Sequence, residues 1–237
     1  MCGRYSLHKD HPIHRAAFDI KSGPEDIDWD RLSPRFNIAP TQEVLTVVSK
    51  EGERHAELMR WGLIPFWARG LKDGRTPVDA RGKTVNTPIN ARAETIESTR
   101  SFSDAFKKRR CLIPADGFYE WQGPKGARRP MYITLRSGEP FAMAGLWGAW
   151  SVSETEWIHS CTIVTTVANS VMEPIHSRMP VMLTKGAESI WLDQANEDMA
   201  ELKEVLVPYP PSEMDACEVS QLVSSVKNDV PQCFEPA

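Results

Sequence analysis

The chain opens Met1-Cys2-Gly3-Arg4. Removal of the initiator methionine, which needs a small second residue, leaves a cysteine as the first residue. Such a terminus sets a free α-amine, of ordinary pKa about 7.7–8.0, two carbons from a thiol of about 8.5, so both nucleophiles are available near neutral pH. No other position offers that pair. Two chemistries follow. The thiol attacks an acyl carbon with the amine as its base, or amine and thiol together close on an aldehyde as a five-membered thiazolidine.

Either chemistry needs groups that move protons, and two turn-like segments supply them. Glu120 lies in Ala115-Asp116-Gly117-Phe118-Tyr119-Glu120-Trp121, where the flanking aromatics are expected to desolvate the carboxylate and raise its pKa toward neutrality. His176 lies in Pro174-Ile175-His176-Ser177-Arg178-Met179-Pro180, a proline-bounded loop with an arginine two residues on. Asn90, in Asn90-Ala91-Arg92-Ala93-Glu94-Thr95, offers an amide to fix the Cys2 amine or a bound sugar, and Arg92, Arg100 and Arg178 suit forked contacts to phosphates. Taken singly, each of these residues also fits capping, surface pairing or a satisfied structural role. Trp61-Gly62-Leu63-Ile64-Pro65-Phe66-Trp67 ends a strand in aromatics. Trp61 is read as core, whereas Trp67 is open to stacking on an unpaired base.

Other chemistries are set aside. His8, His11 and His14 form a His-x-x-His-x-x-His series, but Pro12 interrupts a helix through them and no carboxylate-histidine pattern accompanies them, so no metal site and no cofactor is expected. A Gly-x-Ser-x-Gly elbow, a Walker A loop and a Gly-x-Gly-x-x-Gly turn are all missing. The five cysteines are odd in number and scattered without a Cys-x-x-Cys pair, which argues against a disulfide framework and for a reducing compartment, the cytosol or nucleoid. Cys111 and Cys161 sit in apolar runs and read as inert core residues. No apolar run of membrane-spanning length and no signal-peptide pattern occurs.

The elements that must carry these groups are mostly strands. Glu43–Lys50, Arg54–Leu63, Arg110–Gln122, Met131–Arg136, Phe141–Trp150 and Trp157–Ala168 are rich in β-branched and aromatic residues between turn clusters. Phe102, Ala105 and Phe106 mark a helix after a Ser101-x-x-Asp104 start, closed by the basic run Lys107-Lys108-Arg109-Arg110 as a solvated cap. Ala187–Asp193 and Asn196–Leu206 are predicted helices. With 237 residues, 41% of them hydrophobic, and no linker or repeat, a single domain over 1–237 is expected. Its fold class is α+β, with a curved, barrel-like, mainly antiparallel sheet flanked by helices. The net charge of −4 hides an asymmetry, because residues 187–237 hold 11 Asp/Glu against 2 Lys/Arg. The body is therefore basic and the helical tail acidic, which permits local contact with a phosphate backbone.

Taken together, Met1-Cys2-Gly3-Arg4-Tyr5, Trp61-Gly62-Leu63-Ile64-Pro65, the Asn90–Thr95 and Ala115–Trp121 segments, Ile175-His176-Ser177-Arg178-Met179-Pro180 and Val223-Ser224-Ser225-Val226-Lys227-Asn228 resemble the SRAP family. Its members are the SOS-response-associated peptidases, or abasic-site-processing proteins, and the blocks keep the family's order along the chain. The resemblance implies a monomeric partner of single-stranded DNA bearing an abasic site, which becomes covalently joined to it through Cys2. It assigns Cys2, Asn90, Glu120 and His176 to the active site and Arg4, Arg92, Arg100, Arg178, Trp67 and Trp121 to DNA. Where some members carry two tryptophans, this chain has Phe66-Trp67. Two rival readings keep Cys2 in other roles. In one it is the nucleophile of an N-terminal-cysteine hydrolase, a glutamine amidotransferase or an autopeptidase removing Met1; in the other it is incidental to a non-catalytic DNA-binding module.

Overall fold

The β-branched runs in the middle of the chain form long strands in the computed structural model, which describes residues 2–23, 27, 29–32, 34–73 and 76–237. In chain order the strands are β1 (Tyr5–Leu7), β2 (Ile20–Ser22), β3 (Arg35–Ile38), β4 (Glu43–Lys50), β5 (Glu53–Trp61), β6 (Gly70–Lys72), β7 (Thr76–Val78) and β8 (Asn90–Arg92). There follow β9 (Arg110–Ala115), β10 (Gly117–Gln122), β11 (Arg129–Leu135), β12 (Phe141–Ser151), β13 (Trp157–Val167), β14 (Arg178–Pro180), β15 (Met182–Leu183) and β16 (Met214–Glu218). Helices α1 (His11–Ala17), α2 (Trp29–Leu32), α3 (Ser103–Lys108), α4 (Lys185–Leu192) and α5 (Met199–Glu204) lie between them.

Five strands close a ring. β5 pairs antiparallel with β4, β4 with β9, β9 with β12 and β12 with β13; β13 then returns to β5 in parallel through Ser160–Arg60 and Cys161–Trp61. Closure removes the sheet edge that an open sheet would leave unpaired. Val47, Leu112, Leu146 and Ile163 of these strands are fully buried in the main core, each contributing about 1.5–3 kcal/mol by leaving water. A second, antiparallel sheet runs in the order β16-β11-β10-β1-β3. The expected α+β fold with a barrel-like, mainly antiparallel core is thus the one observed. Among the described residues no helix is long and apolar enough to cross a membrane.

The single strand expected over Arg110–Gln122 is two strands, divided at Asp116, where the chain passes from the barrel to the second sheet. Gly117 permits this passage, since a Cβ there would lie 2.3 Å from the Tyr132 ring. The Asp116 side chain is fully buried and accepts hydrogen bonds from the backbone N–H groups of His8 (2.6 Å) and Lys9 (2.9 Å) and from His14 Nε2 (3.1 Å). That network takes in two members of the His-x-x-His-x-x-His series and leaves the third apart. His14 and His8 both approach Asp116, at 3.1 and 3.6 Å, His8 also stacks against Phe36 and Phe234, and His11 tilts toward Trp29. Pro12 sits in the first turn of α1, where its missing N–H costs nothing, so it begins a helix rather than interrupting one.

Two other local signals resolve differently in three dimensions. The Ser101-x-x-Asp104 signal makes no side-chain cap on α3; Asp104 pairs with Arg109 instead. Within the basic run, Arg110 is fully buried rather than solvated. Its guanidinium donates to the carbonyls of Phe106 (3.0 Å), Lys107 (2.6 Å) and Trp191 (2.7 Å), so one cation closes the C-terminal ends of both α3 and α4. The acidic tail holds the two expected helices and also β16, which extends the second sheet beside β11.

Asp116 makes the sheet junction sensitive to acid. Desolvation raises its pKa, but the His14 hydrogen bond and charge, the Lys9 N–H and the His8 ring outweigh it, so the carboxyl is held below its ordinary value. A depressed carboxyl pKa stabilises the fold above the unfolded-state value and loses that contribution as pH falls through the folded one. Asp116→Ala is expected to cost about 3 kcal/mol in urea unfolding at neutral pH. The gap between wild type and variant should narrow below about pH 4, and a gap that does not change with pH contradicts the assignment.

Candidate active site

The segment before β1 continues along β10. Tyr5 opposes Phe118, and the Arg4 carbonyl accepts the Tyr119 N–H at 2.9 Å, so carrying the register on sets Gly3 opposite Glu120. Cys2 is completely buried and Glu120 is 4% exposed. The desolvation expected of Glu120 from its aromatic flanks is therefore met as burial. Met1, whose removal the sequence predicts, lies outside the described residues.

A second strand reaches Cys2 from the other sheet. Asn90 begins β8, which lies parallel to β13 through Ile163–Asn90 and Thr165–Arg92. Its Nδ2 donates to the Cys2 carbonyl at 2.9 Å. Its Oδ1 is buried and takes no hydrogen bond from any described residue, which leaves an acceptor beside the chain terminus. The indole of Trp61, packed edge-on to Tyr5 at 5.5 Å, donates Nε1 to the Ile89 carbonyl at 2.9 Å and so fixes the residue before Asn90. Burial pushes the Cys2 thiol well up from its ordinary range, and the nearby Glu120 carboxylate pushes it further.

His176 enters from the loop before β14, which pairs with β13 at Val167–Arg178. His176 Nδ1 lies 3.0 Å from the Arg178 backbone N–H and 3.2 Å from the Arg178 carbonyl, so the backbone of Arg178 fixes the ring's orientation. The Arg178 side chain forks onto Glu94 at 2.5 and 2.9 Å and donates to the Thr165 carbonyl at 2.6 Å. β13 thus flanks Asn90 on one side and the His176 loop on the other, while β10 brings Glu120 to Cys2.

The arginines and tryptophans predicted to meet DNA fall into two groups. Arg4 donates Nη1 to Asn37 Oδ1 (2.7 Å) and the Val223 carbonyl (2.8 Å), and its guanidinium lies 5.6 Å from the Trp121 ring. Trp121 in turn donates Nε1 to Ser224, so this pair leans on the turn Gln221–Ser224 near the C-terminus. Arg92 and Trp67 line a groove of about 650 Å³ that also contains Asn90, Lys83 and Thr99. At its rim the exposed Arg100 lies 5.3 Å from Phe66 and 5.2 Å from Trp67, a cation beside two adjoining rings.

Sequence reading gave no role to Glu94, Thr165 or Asn37. Glu94 lies two residues after Arg92 in the same motif, a proximity that could have drawn attention to it. Thr165 and Asn37 carry no local signal, because the arginines they hold are 13 and 33 residues away.

The model of the family described as SOS response associated peptidase (SRAP) matches residues 1–226. The chain belongs to the SRAP family. It is similar to the abasic site processing protein YoqW of Bacillus subtilis (strain 168), at 39% identity over 237 residues and 99% of each chain. It is also similar to the abasic site processing protein HMCES of Rattus norvegicus, at 30% identity over all of this chain and 76% of that protein. Among solved structures, a Bacteroides thetaiotaomicron protein superposes with a TM-score of 0.85 at 27% identity over the whole of both chains. A Bordetella bronchiseptica protein superposes with 0.75 at 30% identity, over 92% of this chain and all of that one. The SRAP match takes in Cys2, Asn90, Glu120 and His176.

The burial pattern orders the thiols by accessibility. Near neutral pH, iodoacetamide is expected to modify Cys217, which is exposed on β16, while Cys2, Cys111, Cys161 and Cys233 react only after denaturation. Peptide mass spectrometry reads the order. Fast labelling of native Cys2 would contradict the desolvated thiol.

Proposed function

We propose that the chain recognises an abasic site in single-stranded DNA and captures it covalently as a thiazolidine on Cys2. The observation that carries this reading is the arrangement at the chain terminus. A buried Cys2 whose carbonyl is held by Asn90 Nδ2 sits beside Glu120, and the buried Oδ1 of the same amide takes no hydrogen bond from any described residue. The YoqW and HMCES relatives, named as abasic site processing proteins, support the choice of substrate.

With Met1 removed, the Cys2 amine adds to the C1′ aldehyde of the ring-opened sugar. The new N–C bond forms while the carbonyl oxygen takes a proton, and loss of that oxygen as water leaves a Schiff base. The thiol sulfur then adds to the same carbon, the C=N electron pair passes to nitrogen, and nitrogen takes the thiol's proton. That closure is effectively unimolecular and favoured by proximity. Amine attack comes first because the thiazolidine ring closes on the imine carbon that it makes. Glu120 shuttles the protons, the His176 ring donates toward the departing oxygen, and Asn90 Oδ1 orients the amine. An imine left open would acidify C2′ and invite β-elimination of the 3′ phosphate, so closure protects the strand.

Arg92 and Arg100 take flanking phosphates and Trp67 stacks on a neighbouring base, with Arg4 and Trp121 on the other flank. Arg178, already forked onto Glu94, meets a phosphate only by sharing or exchanging that partner. Every group invoked comes from one chain, which fits a monomer acting on DNA in the cytoplasm, at the nucleoid.

Purified protein incubated with single-stranded DNA bearing one abasic site should give a heat-stable adduct on a denaturing gel, with the mass of the thiazolidine. Cys2→Ala should abolish it, and its persistence in that variant defeats the proposal. Cys2→Ser should leave only a Schiff base trapped by borohydride. Glu120→Gln should slow adduct formation about 100-fold. The wild-type rate should rise through about pH 7–8 as the α-amine loses its proton.

A further inference from the structure

The surface beyond Trp67 carries aromatic and cationic groups that the proposed reaction does not use. Among the described residues Phe66 and Trp157 are the exposed aromatics, at 62% and 57%. A large ring left in water forgoes the stabilisation of burial, so two on one face mark a surface that something else covers. Both rings are mounted on one small core. Ile64, Ala68 and Trp150 are buried together with Ile158 packed against them, and Trp150 Nε1 donates to the Ala68 carbonyl at 3.1 Å. The loop carrying Phe66 and the strand start carrying Trp157 are therefore fixed relative to each other.

Shared residues join this face to the candidate active site. The groove that holds Asn90 and Arg92 ends at Trp67, whose ring is 5.1 Å from that of Phe66. Phe66 lines a second depression of about 340 Å³ with Arg69 and Trp157. Trp157 in turn lines a third, of about 790 Å³, with Arg60 and His159. Arg60 is half-buried, and its Nη1 donates to the Gly62 carbonyl at 3.0 Å. Glu43 lies opposite it in the β4–β5 ladder and also lines this depression, yet the two form no ion pair. The guanidinium keeps donors for an anion from outside the chain.

We propose that this face is a second nucleic-acid subsite, in which a single strand leaving the abasic site past Trp67 crosses Phe66, stacks a base on Trp157 and sets a phosphate on Arg60. The inference rests on the DNA substrate proposed above. An aromatic ring accepts any base by its π-face, and a guanidinium neutralises any phosphate, so the subsite adds affinity without sequence preference. It belongs to strands longer than those the active-site groove alone can hold.

The test uses the full chain and an abasic analogue without an aldehyde, so that binding is read independently of adduct formation. Affinity is compared for a short oligonucleotide with about two nucleotides on each side of the analogue and for oligonucleotides extended by about eight on the 5′ or the 3′ side. Extension on one side is expected to tighten wild-type binding about tenfold. The long-to-short ratio should fall close to one in Trp157→Ala and recover in part in Trp157→Phe. Arg60→Gln should flatten the salt dependence for the extended strand only. Trp157 is exposed, so its replacement leaves the core intact. A Trp157→Ala protein that keeps the full ratio, or a wild-type protein that gains from neither extension, overturns the proposal. Failure to form an adduct with aldehyde-bearing DNA counts against the covalent reading and leaves this length dependence to be judged by itself.

Discussion

The hydrogen bond from the Asn90 amide to the Cys2 carbonyl is the contact on which the site depends, because it crosses between the two sheets. Chain termini fray unless something ties them down. Here the first residues are tied twice, along β10 by the Arg4 carbonyl and across to β8 by Asn90. Closure of the barrel makes the second tie available. β13 pairs with β5 and then, further along the same edge, with β8, so the ring that builds the core also positions Asn90.

Burial then sets the chemistry of the terminus. A thiol without water and beside a carboxylate loses its thiolate character. Cys111 and Cys161 are as buried as Cys2, and burial raises their thiols as well. What distinguishes Cys2 is its place at the chain terminus, beside Asn90 and Glu120, rather than an activated sulfur. The rim is arranged on a different principle. Arg100 beside Phe66 and Trp67, and Arg4 over Trp121, present cations on aromatic faces, a combination that suits phosphates and bases together.

The strands, the helices of the acidic tail and the barrel-like class were legible because β-branched runs and turn residues are local signals. So were the residue types gathered around Cys2, each in a short motif of its own. Local signals failed where a distant partner outcompeted them. Asp104 exchanged a helix cap for Arg109, and Arg110 left the surface because five-stranded closure brought two helix ends to it. Asp116 divided an apolar run because His14 and the β1 backbone required a buried carboxylate at the junction of the sheets.

By itself the sequence determined which groups are present and the elements that carry them, since both follow from residue type and spacing of a few positions. Tertiary structure alone decided that Asn90 meets Cys2 across 88 residues and that Arg178 is already held by Glu94 across 84. It also decided that the thiol is buried beside a carboxylate and that Trp157 shares a face with Phe66. Each of these depends on which strands become neighbours and on how much water they exclude. Those are properties of the closed sheet, and no short window of sequence contains them.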